Sequence, residues 1–314
     1  MKKIIICILV TMLLFPLGAA CKKKVEESPV EINPTEGVPN LVERDVLLYF
    51  GMSKEGMLVG EERTIYTPVN LRVEEAILTA LIAGPANNNR DFKGLINPHT
   101  KIVQMTESGD TFIVTLSNEF LNWDFLLQND SSEEDTQLKM LAVKSIVNTI
   151  IEASGYARVQ ILVDRDDSKT GQRIQLEELG MGEKSGVLEP QERDDALLWT
   201  AGNAAKKIVS FLQNKEYASL YEMTAKYDET GAEKMQEAAF IGMLQNEANI
   251  TLDSFFVEGE AESVKDNQVY LLCTYTHIGE DGEPKRIENI PLCMRKDNGI
   301  WKMSETAIKK LIGQ

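Results

Sequence analysis

The chain has 314 residues, long enough for two domains. Hydrophobic residues make up 43% of it and charged residues 26%, an ordinary globular balance that allows sizeable cores. The formal net charge of −16 argues against nucleic acid as a partner, because phosphates demand Lys and Arg on the contacting face.

Lys2 and Lys3 precede an apolar run from Ile4 to Leu17, and Gly18-Ala19-Ala20 then lead to Cys21. The run is too short to span a bilayer comfortably, and small residues follow it. Residues 1–20 therefore read as a secretion signal. A cysteine directly after the small residues resembles the bacterial lipobox, whose thiol receives a diacylglycerol and becomes the new N-terminus. Gly18 stands where that motif usually has Leu, and ordinary cleavage after Ala20 is the alternative. Lipid on Cys21 would hold the protein at the extracytoplasmic face of a bacterial cell membrane. Lys22-Lys23-Lys24 would add a short basic supplement beside the headgroups. Without Lys2 and Lys3 the mature chain carries a charge near −18, which argues against anionic lipid as a partner of the folded domains.

Residues 21–43 read as an extended tether, with Pro29, Pro34 and Pro39 among Glu, Ser, Thr and Asn. A first domain, residues 44–180, is read as α+β. Val46 to Phe50 and Leu58 to Tyr66 are strands. A helix follows with Asn70 as cap, Val73, Ile77, Ala80 and Leu81 on one face, and Gly84-Pro85 at its end. Ile102 to Met105 and Phe112 to Leu116 form a hairpin across Ser108-Gly109. A second helix starts at Ser131 or Ser132, with Glu134 or Asp135 completing a capping box. Leu138, Leu141, Ala142, Ser145, Ile146 and Thr149 make its buried stripe, and Gly155 stops it. Arg158 to Asp164 is a strand. The order ββαββαβ predicts helices packed on one sheet.

Several words in this stretch carry a resemblance. They are Val46-Leu47-Leu48-Tyr49-Phe50, Leu58-Val59 leading to Glu62-Arg63, and Leu81-Ile82-Ala83-Gly84-Pro85. They continue with Ile96-Asn97-Pro98-His99-Thr100, Val114 to Phe120, Ser145-Ile146-Val147-Asn148-Thr149 and Val159 to Asp164. Their order and spacing resemble the GerM sporulation and germination family, the GerMN domain, over roughly residues 44–180. Arg165-Asp166-Asp167 intervenes where that family usually places a Gly. The resemblance implies a role in spore formation or germination. There such domains are expected to assemble with other membrane-anchored proteins into ring-like or channel-like structures. Envelope or sporulation proteins, or further copies of the chain, are the partners this implies.

Residues 181–193 read as a linker, with Gly182, Gly186 and Pro190. A second domain, residues 194–314, opens on a long helix capped by Asp194 or Asp195, with Leu197, Ala201, Ala204, Ala205, Ile208 and Leu212 on one face. Tyr217 to Met223 and Ala232 to Gln245 are further helices. Strands follow at Ile250 to Glu258, Gln268 to His277, Arg286 to Met294 and Ile300 to Ser304. Helices followed by a four-stranded antiparallel sheet look like the cone of nuclear-transport-factor-like domains. A pocket between helices and sheet, lined by Trp199, Phe211, Tyr217, Tyr221, Phe255 and Trp301, would make this a small-ligand module. The same aromatic stripe also reads as core.

Cys273 and Cys293 fall on two strands either side of Asp281-Gly282. A cross-strand disulfide suits an extracytoplasmic setting. A tight turn, however, pairs Cys273 with about residue 290 and favours two buried thiols. His99 and His277 lie in different domains without a ligand partner at metal spacing. His99 reads as a turn residue and His277 as an exposed strand end. Asp164, Asp166, Ser168 and Thr170 alternate as oxygen ligands do in a calcium loop. Gly171 falls late, and Gln175 occupies the closing position, so the run reads as a solvated acidic turn. Glu133, Glu134 and Asp135 suit a helix start. Glu258, Glu260, Glu262, Glu280, Asp281 and Glu283 read as loop charges. No nucleophile–base pair or phosphate loop occurs. Cys21 is the one assigned site, and no catalytic, cofactor-binding or metal-ligating set is expected.

Overall fold

The computed structural model describes residues 40–313 except 53–54, 87–90, 127–131, 183–184, 247–250, 262–266 and 279–281. The signal, Cys21 and most of the tether lie outside the described residues. Residues 41–314 form one compact unit. Its chain order is β1 (Leu41–Met52), β2 (Leu58–Pro68), α1 (Val73–Ile82), β3 (Phe92–Lys93), β4 (Ile102–Ser108), β5 (Thr111–Ser117), α2 (Ser132–Ser154), β6 (Arg158–Asp164), β7 (Gln172–Arg173) and β8 (Gln191–Glu192). The second half adds α3 (Ala201–Gln213), α4 (Tyr217–Glu222), α5 (Glu237–Asn246), β9 (Thr251–Ala261), β10 (Gln268–Ile278), β11 (Pro284–Asp297), β12 (Ile300–Met303) and α6 (Glu305–Leu311). The fold class is α+β, as the sequence pattern implied.

The first half corrects the expectation of one sheet. Its strands form two, β2-β1-β3 and β4-β5-β6-β7, with β8 also pairing β6. The helix α2 links the parallel pair β5 and β6 and packs on both sheets. Phe112, Val114 and Leu116 of β5 and Val159, Ile161 and Val163 of β6 are buried, as alternation required. Two boundaries also shift. Residues 41–43, read as tether, begin β1, where Leu41 pairs with Pro68. The stretch read as a linker contributes Gln191–Glu192 to the sheet, and the Leu188 amide bonds the Ile174 carbonyl at 2.8 Å.

Helix starts differ from expectation at two places. Arg72 precedes α1 without a side-chain cap, so Asn70 does not serve there. Thr200, not Asp194 or Asp195, caps α3, accepting the Asn203 amide at 3.2 Å. The start of α2 at Ser131 or Ser132 borders residues outside the description. The end of α1 is closed from outside. Arg63 of β2 donates to the Ala80 carbonyl at 3.2 Å and to Gly84 at 3.1 Å, satisfying carbonyls the helix cannot pair itself. Glu61 holds that guanidinium and accepts the Ala86 amide at 3.1 Å.

The second half is a sheet in the order β12-β11-β10-β9 covered by helices. The sequence reading missed α6. Its cap, Ser304, accepts the Ala307 amide at 3.1 Å, and Ala307, Ile308 and Leu311 are buried. Cys273 pairs with Ile290 across the strands and Cys293 with Tyr270, so the register keeps the two thiols apart. Both are buried and free. Burial pushes Cys273 up to about 12 and Cys293 up to about 11, from an ordinary value of 9.0.

These thiols give a pH signature. Below pH 9 both states keep their thiol protons and no stability is at stake. Above it the unfolded chain loses protons that the folded chain retains, so stability falls as pH rises from about 9 to about 12. The slope is about 1.4 kcal/mol per pH unit per thiol. Urea denaturation at pH 8, 9 and 10 checks the trend. Neither Cys273 nor Cys293 is alkylated by iodoacetamide in the folded protein, and both react in urea.

Candidate functional site

Three polar residues interrupt the buried face of α2. Ser145, Asn148 and Thr149 are all at most 1% exposed. Their spacing of three and four places them on one side of the helix. That side meets β1 beyond the reach of its short neighbour β3, which pairs only with Gly51 and Met52. The Tyr49 amide donates to Thr149 Oγ1 at 3.0 Å, and Ser145 Oγ donates to the Tyr49 carbonyl at 2.6 Å. Two helix hydroxyls thus stand in for a missing strand.

Asn148 turns the same face toward the second half. Its side-chain amide donates to the Asp194 carbonyl at 3.1 Å and accepts the Asp194 amide at 2.9 Å. A two-point amide clamp therefore fixes the backbone where the chain leaves β8. Beside it, Arg193 bonds Glu152, the Tyr49 hydroxyl at 3.2 Å and Asp195 at 2.5 Å. The Tyr49 hydroxyl in turn donates to Glu152 at 3.1 Å. Burial lowers the Arg193 pKa, but the bonds to Asp195, Glu152 and Tyr49 outweigh it and hold the guanidinium above its ordinary value. Burial, with the Glu152 charge, raises Tyr49. Arg193 and Tyr49 therefore stay protonated through the physiological range.

A few residues on, the Trp199 amide bonds the Leu58 carbonyl at 2.7 Å, and the Trp199 indole donates to the Trp301 carbonyl at 2.9 Å. Lys207 of α3 lies 3.7 Å from Glu55, and Lys296 lies 3.2 Å from Glu62. A cleft of about 630 Å³ runs along this junction, with Tyr49, Arg193, Trp199, Asn203, Lys296 and Trp301 in its walls. Its charged groups are paired with one another. The arrangement can hold two layers in fixed relation. Among the described residues no group of three His, Cys, Asp or Glu side chains could hold a metal ion.

Of the two readings of the aromatic stripe, the described residues follow core rather than a pocket inside the cone. Trp199 and Phe211 are core residues, while Tyr217, Tyr221 and Phe255 are partly buried against the core. Trp199 and Trp301 reach the junction cleft, and Tyr221 lines a different one with Lys234 and Lys302. His99 is exposed in a turn made by Asn97, whose side chain accepts the His99 amide at 3.0 Å. His277 is half-buried rather than exposed, and its ring Nδ1 has no partner among the described residues. The acidic turn also departs from expectation, because Asp164 is buried at 4% exposure. Glu133 and Glu134 are exposed at the start of α2 and Asp135 half-buried there. Glu258 and Glu283 are exposed. Glu262, Glu280 and Asp281 lie outside the described residues, and Glu260 carries no described side chain. The sequence reading placed Ser145 and Thr149 in the core stripe but missed Asn148, Tyr49 and Arg193. The available signal was three polar side chains on a helix face that is otherwise apolar.

Residues 47–168 match the family model described as Germane, sporulation and spore germination. The words that carried the resemblance lie in this span, apart from Val46 at its edge, and several have a structural task in the junction or its supports. No curated protein matches the chain. Among solved structures, the tandem GerMN domains of the sporulation protein GerM from Bacillus subtilis share 13% identity, with 79% of this chain and 62% of that chain covered and a TM-score of 0.31. A candidate lipoprotein from Clostridium perfringens shares 17%, with 49% and 89% covered and a TM-score of 0.27. A Δ5-3-ketosteroid isomerase from Mycobacterium sp. shares 11%, with 32% and 87% covered and a TM-score of 0.26. At these scores the likenesses carry no functional argument.

Thr149→Val keeps the shape of the side chain and removes the acceptor for the Tyr49 amide. A buried amide left unpaired costs about 1–3 kcal/mol, readable as a lower urea midpoint. Asn148→Ala releases both bonds to Asp194. Hydrogen exchange at residues 193–198 then rises at least about tenfold, which corresponds to a local loss of about 1.4 kcal/mol. Unchanged exchange there would show that the junction is held by other contacts.

Proposed function

We propose that this chain is a non-catalytic lipoprotein of the bacterial envelope that works through protein–protein assembly in sporulation or germination. The observation that carries the reading is the family match over residues 47–168. That match supports a role in sporulation, and the assembly role is the inference. The site geometry agrees with it. The polar groups of the junction are bonded to one another and to backbone, which suits a body that holds its shape and offers surfaces. No described helix is long and apolar enough to cross a membrane. A lipid on Cys21 would supply the attachment, and residues 22–40 the connection to the folded unit.

Two measurements test this separately. Cys21→Ser moves the protein from the membrane fraction to the soluble extracytoplasmic fraction and removes the diacylglycerol mass from the N-terminal peptide. Unchanged membrane attachment would sink the anchor. Crosslinking of the anchored protein in sporulating cells captures sporulation or germination proteins of the envelope, or a second copy. A chain that stays monomeric at high concentration and captures none of these would sink the assembly reading.

A further inference from the structure

The turn after β6 has more structure than a solvated acidic run requires. Asp164 is the last residue of β6 and is 4% exposed. Its Oδ2 accepts the Lys169 amide at 3.0 Å, which turns the carboxylate into the loop that follows. Its Oδ1 is buried and has no hydrogen-bond partner among the described residues. An ionised oxygen in that position is costly unless something positive meets it. No Lys or Arg ion pair with Asp164 is found among the described residues. Arg165, the nearest cation in sequence, is turned away and bonds Glu178 through both nitrogens, at 2.6 and 2.8 Å.

The remaining donors follow at the spacing of a calcium loop. Counting Asp164 as position one, Asp166 is third and Ser168 fifth, and Thr170 is seventh, where such loops offer a backbone carbonyl. Sixth is Lys169. That position normally needs Gly for a sharp turn, and here Lys169 adopts the required left-handed backbone, with φ of 62°. The late glycine that counted against the motif in the sequence is therefore no obstacle. Asp166, Ser168 and Thr170 are exposed, so the loop opens to solvent on one side.

We propose that residues 164–170 bind one Ca²⁺ ion. The ligands are Asp164 Oδ1, a carboxylate oxygen of Asp166, Ser168 Oγ and the Thr170 carbonyl, with water completing the shell. The twelfth position sets the affinity. Gln175 stands there, and its side chain is engaged in a capping box with Glu178, so no bidentate carboxylate closes the loop. Two carboxylates place the site in the weak range of extracellular modules, with a dissociation constant of about 10⁻⁴–10⁻³ M. Magnesium is disfavoured because it demands near-ideal octahedral geometry and gives up water reluctantly. The inference concerns this loop alone and does not rest on the lipid anchor or the assembly role.

Calorimetric titration of the detergent-solubilised full chain with CaCl₂ tests it. The expected result is one site in that range, with MgCl₂ binding at least about tenfold more weakly. Asp164→Asn and Asp166→Asn each raise the dissociation constant at least about tenfold by removing ligand charge. Asp164 is buried and its variant could fail to fold. Asp166 is exposed, so that variant reports the site without touching the core. Lys169→Gly relieves the left-handed backbone and binds at least as tightly as the parent. No binding at about 10 mM Ca²⁺, or calcium and magnesium binding equally well, would overturn the proposal. So would an unchanged constant in Asp166→Asn, which would mark the heat as calcium adsorbed by the acidic surface.

Discussion

The fold depends on what α2 does for Tyr49. A strand edge that meets a helix instead of another strand has backbone groups with nothing to bond, and burying them is costly. Here Ser145 and Thr149 bond the carbonyl and amide of the same residue, about a hundred positions away in the chain. The solution lets a sheet end against a helix without solvent. It frees the first half to split into two sheets with α2 between them. It also fixes the rotation of α2, because both hydroxyls must face β1. The next polar residue on that face, Asn148, is thereby aimed at the exit of β8.

That aim links the two halves. The clamp on Asp194 comes immediately before the segment that crosses to the second sheet, and Arg193 adds a bracket to Tyr49 and Glu152. The following residues bond the first half directly, through the Trp199 amide and the Leu58 carbonyl. Exposed pairs such as Lys296 and Glu62 contribute little in water. The buried amide and hydroxyl bonds contribute more, because losing either partner strands the other. A chain that reads as two domains therefore behaves as one compact unit.

Polar groups inside this protein serve the backbone more often than they serve chemistry. Arg63 closes α1, Asn97 makes the turn that carries His99, and Tyr275 bonds the Lys310 carbonyl at 2.9 Å near the end of α6. Asp164 departs from this, with one oxygen satisfied and one not, as does Gln160 on the same strand, whose Nε2 is bonded and whose Oε1 has no partner among the described residues.

Local pattern made much of this legible in the sequence. Alternation located β5 and β6, helical periodicity located α2 and α3, and the turn at Gly282 set the register that pairs Cys273 with Ile290. Those features depend on residues within a few positions of one another. Other features had no local signal. The two-residue strands β3, β7 and β8 are too short to show a period. The division into two sheets, the clamp at Asp194 and the burial of Asp164 depend on which distant segments come together. The sequence alone determined the longer elements, the register at Cys273 and the family resemblance. Only the tertiary structure decided what the buried polar side chains would bond, because helical periodicity can put Ser145 and Thr149 in the core but cannot name a partner about a hundred positions away.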